Sequence, residues 1–83
     1  MHHIARSPKQ LGSVIQRVRK QRGMSQTDLA HLAGLRQEMV SKIETGQDGT
    51  RLSSIYALFA ALNLEMTIDH RSRSSAQDIE DIF

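Results

Sequence analysis

Eighty-three residues suffice for one compact domain and not for two, and a chain of this size buries only about 60% of its unfolded surface, so its core is small. It has no cysteine, which excludes disulfide support and is compatible with a reducing compartment. The formal charge is only +2, but it is unevenly spread: nine basic and four acidic residues precede Leu52, while two basic and five acidic residues follow from there. A basic first part points to a polyanionic partner, although ordinary surface charge would account for the asymmetry as well. No apolar run approaches the ~18 residues that would span a bilayer, and the start "MHHIARSPKQ" lacks the apolar stretch of a secretory leader. The expectation is a cytoplasmic protein, nucleoid-associated if it binds DNA, with no membrane partner.

The first helix is announced at Ser7, an N-cap followed by Pro8 at the first helical position and Gln10 in an S-x-x-Q capping box. Leu11, Val14, Ile15 and Val18 then form one apolar stripe at helical spacing. Arg17, Arg19, Lys20 and Arg22 crowd the last turns and complement the helix dipole, and Gly23 ends the helix. These four cations read either as a solvated helix end or as phosphate contacts.

The second helix begins at Ser25, with Asp28 three residues on as the reciprocal capping partner and Met24 able to staple to Leu29. Leu29, Ala30, Leu32 and Ala33 make it short and apolar, and Gly34 closes it. Leu35 follows as an apolar plug. The third helix, from Arg36 to about Glu44, sets Val40 and Ile43 on one side and Gln37, Glu38, Ser41 and Lys42 on the other. Thr50 or Ser53 opens a fourth helix carrying Leu52, Ile55, Tyr56, Phe59 and Leu62. Leu11, Val14, Ile15, Val18, Leu29, Val40, Ile43, Leu52, Ile55, Phe59 and Leu62 are the expected core, with Tyr56 and Phe59 its aromatic bulk.

After Asn63 the period changes to two, with Leu64, Met66 and Ile68 alternating against Glu65, Thr67 and Asp69. A lone strand leaves its backbone groups unpaired, and no second strand is available in this chain. Pairing with its own copy across a two-fold axis is the economical solution. Residues 1–69 therefore read as one domain with a dimerising strand at about 64–69, and residues 70–83 as a flexible, polar, then acidic tail carrying Ile79, Ile82 and Phe83.

Two short helices joined by a glycine turn, the second polar on one side, are the ingredients of a helix-turn-helix. A major groove about 12 Å wide admits one helix, and long side chains with several hydrogen-bonding atoms reach its base edges. No spacing of His2, His3, His31 or His70 resembles a metal site, and no nucleophile motif or phosphate-cradling loop is present, so neither metal, cofactor nor enzymatic activity is expected.

The stretch "GMSQTDLAHLAGLRQEMVSKIETG" resembles the helix-turn-helix of the Xre and Cro/C1 repressor family, through Ser25-Gln26, Leu29-Ala30, Gly34, Val40-Ser41, Ile43-Glu44 and Gly46. The likeness covers about residues 10 to 62. Within that family, "SPKQLGSVIQRVRKQRGMSQTDLA", Gln37, Ser41 and "GTRLSSIYALFAALNLEMTID" are similar to the HipB-type antitoxins. The resemblance implies a lambda-repressor-like bundle of four to five short helices with one C-terminal strand pairing across a homodimer. It implies that Gln26 contacts phosphate and that Arg36, Gln37, Glu38, Ser41 and Lys42 face the groove of an inverted-repeat operator, with Gln37 as base reader.

It also implies binding and neutralisation of a HipA-like serine/threonine kinase toxin, repression of a shared operon, and a tail that is either plainly disordered or uses Ile79, Ile82 and Phe83 to anchor that partner or to expose a degradation signal. Two departures stand out: Arg36 replaces the usual Ser or Thr at the start of the recognition helix, and Glu38 brings a negative charge toward the groove. A free-standing phage or restriction-modification regulator, and an interaction module that has lost DNA binding, are the alternatives.

Overall fold

The computed structural model describes residues 3–71. Four helices follow one another: α1 (Pro8–Gln21), α2 (Gln26–Ala33), α3 (Gln37–Glu44) and α4 (Leu52–Ala61). The expected N-caps at Ser7 and Ser25 form. The Ser7 hydroxyl accepts from the Gln10 backbone N–H at 3.1 Å, and the Gln10 side chain reaches back one residue further than a standard box would, accepting from the Arg6 N–H at 2.6 Å. At α2 the box is reciprocal: Asp28 N–H donates to Ser25 Oγ and Ser25 N–H to Asp28 Oδ2, both at 3.0 Å.

All four helices end alike. Gly23, Gly34, Gly46 and Asn63 take φ of 68°, 71°, 81° and 55°. The residue after each sends its N–H five residues back: Met24 to Arg19, Leu35 to Ala30, Gln47 to Lys42 and Leu64 to Phe59. This is the Schellman geometry, and in three of the four cases the residue so placed is apolar and packs on the core: Met24, Leu35 and Leu64.

The buried centre consists of Ile15, Val18, Leu29, Ala30, Val40, Ile43, Leu58, Phe59 and Leu62, with Leu11, Val14 and Ile55 half-buried around it. Two expectations are corrected. Leu52 is 56% exposed on the first turn of α4, and Leu58, absent from the expected core, is fully buried. Nearly every residue of α4 is apolar, so the spacing of its apolar residues alone leaves its inner face ambiguous by one position per turn. Tyr56 lies at the core's edge, half exposed, with its ring edge-on to Phe59 at 6.1 Å.

The start of α4 also differs from expectation. The helix begins at Leu52, with Arg51 at the N-cap position and no side-chain cap.

Packing of α1 against α3 is closer than side chains would allow. A Cβ on Gly12 would meet the Ile43 carbonyl oxygen and lie 2.6 Å from that of Glu44, so the end of α3 rests directly on α1. A Cβ on Gly46, just past α3, would likewise lie 2.5 Å from the Lys9 Cα. After α4, residues 64–71 continue without regular secondary structure, and no strand forms among the described residues.

Candidate nucleic-acid interface

The exposed side of α3 is fixed from beneath by a polar chain that crosses the core. Arg19 and Glu44 are both buried, and their side chains form a two-pronged ion pair, Nε to Oε2 at 2.6 Å and Nη2 to Oε1 at 3.0 Å. The remaining guanidinium prong donates to the Met24 carbonyl at 2.8 Å. Glu44 Oε1 also accepts from Gln26 Nε2 at 3.0 Å, and Gln26 Oε1 in turn accepts from Gln37 Nε2 at 2.6 Å. No buried side-chain nitrogen or oxygen among the described residues lacks a partner. Charge-assisted, fully satisfied bonds of this kind rigidify what they hold.

Two of the sequence-derived contact residues are thus brought into direct contact, Gln26 at the start of α2 and Gln37 at the start of α3. Arg36, Glu38 and Lys42 are exposed around them, and Ser41 is half-buried one turn along. Arg36 occupies the N-cap position of α3, where its guanidinium, which has no acceptor atom, cannot cap the helix. Asp28, on α2, has its carboxyl held below the ordinary range, first by the Ser25 backbone N–H and then by the Ser25 hydroxyl, with a smaller contribution from His31.

Arg19 is a correction. It reads from the sequence as part of a solvated or phosphate-facing cluster, yet it is 7% exposed and engaged inside the fold. Arg19 and Glu44 were also missed as supports of the site. The available signal was their phase: Arg19 lies four residues after Ile15, and Glu44 four after Val40, so each helix carries one charge, of opposite sign, in its apolar register. Ile79, Ile82 and Phe83 lie outside the described residues. Among the described residues no cluster of His, Asp or Glu could hold a metal ion, and no helix is long and apolar enough to cross a membrane.

A helix-turn-helix family model (HTH_3) matches residues 15–68. Antitoxin HipB of Escherichia coli K12 is 32% identical over 74 residues, covering 89% of this chain and 84% of that protein. Among solved structures, HipB in complex with an O2 20mer superposes with a TM-score of 0.78 at 32% identity, over 86% of this chain and 100% of that one. HipB in a HipA–HipB–O2–O3 complex gives 0.76 at 32%, over 84% and 100%. The restriction-modification controller protein C.AhdI of Aeromonas hydrophila gives 0.65 at 34%, over 70% and 88%. The chain belongs to the helix-turn-helix family of the Xre and Cro/C1 type, a non-enzymatic family, and is a homologue of the HipB antitoxins.

Proposed function

We propose that this protein is a homodimeric, sequence-specific repressor that reads operator DNA with α3 and serves as the antitoxin of a HipA-like kinase, repressing their shared operon from the cytoplasm. The observation that carries the DNA-reading half is the braced polar face of α3: Arg36, Gln37, Glu38, Ser41 and Lys42 face outward while Glu44 and Gln26 fix the helix from below. Two such helices in a dimer would meet half-sites about one helical turn apart.

The antitoxin half rests on likeness to a protein solved together with HipA. Residues 64–69 would supply the dimer seam through Leu64, Met66 and Ile68. Beside them an apolar hollow lined by Leu11, Val14, Ile55, Phe59 and Leu64 opens between α1, α4 and this segment, giving a second copy a surface to cover. Toxin contact through Ile79, Ile82 and Phe83 belongs to the same proposal. A second reading, a free-standing controller without a toxin, is favoured by the likeness to C.AhdI.

The test combines duplex binding at several salt concentrations with co-purification from the native host. A dimer making about 6 to 10 phosphate contacts loses about 10³ to 10⁵ in affinity between 50 and 200 mM salt. That slope, together with a co-purified kinase and DNA of its own promoter, supports the repressor-antitoxin reading. DNA without a kinase leaves the controller, and a flat salt response with no DNA refutes both.

A further inference from the structure

We propose that the basic face of α1 is the seat of this chain's own acidic segment, residues 78–81, which keeps other polyanions off that face. α1 is one-sided in charge. Lys9, Ser13, Arg17 and Lys20 follow one another at helical spacing, so they form one stripe along the helix, and all are exposed. The helix contains no acidic residue to balance them. Among the described residues the Arg19–Glu44 pair is the only salt bridge, so Lys9, Arg17 and Lys20 have no anionic partner there. Like charges one turn apart, such as Arg17 and Lys20, repel, and a counter-charge brought to the stripe relieves that repulsion.

The stripe borders an open groove rather than a smooth surface. Ile4 and Val14 line this groove together with Lys9, Ser13 and Arg17, so it offers apolar contact beside two cations. An adjoining hollow shares Ser13 and Arg17 and runs on to Gln16 and Lys20. A segment that fits such a surface carries acids on either side of an apolar residue. The sequence holds one such triplet, Asp78-Ile79-Glu80, and Asp81 follows it directly. A kinase partner drawing on Ile79 would therefore displace the segment from α1.

The fold also starts this segment in the right place. Thr67, Asp69, His70 and Arg71 share a hollow with residues 3–6, and Ile4 lines both that hollow and the groove. The described chain thus stops at the mouth of the groove. Asp78 comes seven residues after Arg71, a reach of up to about 25 Å, against a length of about 21 Å for α1. Tethering over so short a span presents the acids at an effective concentration on the order of millimolar, where a weak contact suffices.

The test compares the full chain with Asp78→Asn/Glu80→Gln/Asp81→Asn, through backbone amide signals at low salt. Neutralising the acids is expected to move the signals of Lys9, Ser13, Arg17 and Lys20 while leaving those of α3 in place. Unmoved α1 signals overturn the proposal. A carbodiimide should also join Lys9 or Lys20 to Asp78, Glu80 or Asp81 in wild type. In a mixture of light and heavy chains the joined peptides are expected to be wholly light or wholly heavy, and hybrids overturn the in-chain seating. Neither readout depends on α3 reading DNA, so each stands if that reading fails.

Affinity for an unrelated duplex supplies the functional readout. Freeing a face that a tethered competitor half occupies is expected to tighten binding roughly twofold beyond the effect of added charge. That effect is measured by making the same tail changes in Lys9→Gln/Arg17→Gln/Lys20→Gln. An equal gain in both backgrounds reflects net charge alone and overturns the competition.

Discussion

The two outward-facing stretches of this protein, α3 and residues 64–71, are secured by opposite means. Beneath α3 everything is satisfied internally: Gly12 receives its last carbonyls, Glu44 is held by Arg19 and Gln26, and Val40 and Ile43 are buried. Residues 64–71 are held at their start, where Leu64 donates to the Phe59 carbonyl at 2.7 Å, and at Met66, whose Sδ lies 3.8 Å from the Tyr56 hydroxyl. From there the side chains are exposed, Ile68 by 94%. On the proposed function, a surface that discriminates is preorganised, whereas one that assembles is left incomplete until its counterpart arrives. Burying a side chain like Ile68 in a dimer seam would contribute about 1.5 to 3 kcal/mol.

The sharpest way to break this contrast is to loosen α3 from below. Glu44→Ala leaves Arg19 charged and unpaired in the interior and should cost about 3 to 5 kcal/mol, measured by chemical denaturation. Loss below 1 kcal/mol would mean that the pair is wetter than its geometry indicates. Gly12→Ala drives a methyl into the Ile43 and Glu44 carbonyls, and a cost of up to about 3 kcal/mol is expected from the same measurement. Gln37→Ala, by contrast, should leave stability unchanged and weaken specific duplex binding by about 1 to 3 kcal/mol in a titration while sparing unrelated duplex.

The other side of the contrast is probed by Met66→Pro. It should leave the helical melting transition in place while shifting the mass in solution toward the monomer, because proline removes a ladder donor. An unchanged mass would rule out strand pairing there. The smallest effect concerns acid. The Asp28 carboxyl titrates below its ordinary value in the folded state, so its stabilising contribution is present above the unfolded-state value of about 3.9 and disappears as pH falls through the folded one. Asp28→Asn should flatten that part of the stability profile, and an unaltered slope there would show that the cap is not the cause.

What the sequence disclosed, and what it withheld, divides along the range of the interaction. Ser7, Ser25, Gly23 and Gly34 mark helix limits because capping is settled within a few residues, and the structure places the limits there. The six proposed DNA-contact residues could likewise be placed on one face of two short helices. The inner face of α4 was misphased at Leu52 and Leu58, since its rows of apolar residues differ only by what they pack against. Arg19 and Glu44 were hidden for the same reason: their significance lies in meeting each other from positions 25 residues apart on different helices.

The bare start of α3 has a practical corollary for anyone wishing to shorten this protein. Eight residues without a side-chain cap are too few to hold a helix alone in water, where isolated helices shorter than about 12 to 15 residues are marginal. A synthetic peptide spanning only Gln37–Glu44 would therefore be a coil, and grafting those residues onto another scaffold would transfer their identities without their orientation. To transplant α3 is to transplant its footing as well: a glycine for Gly12, an arginine for Arg19 and an amide for Gln26, each at the same height beneath the helix.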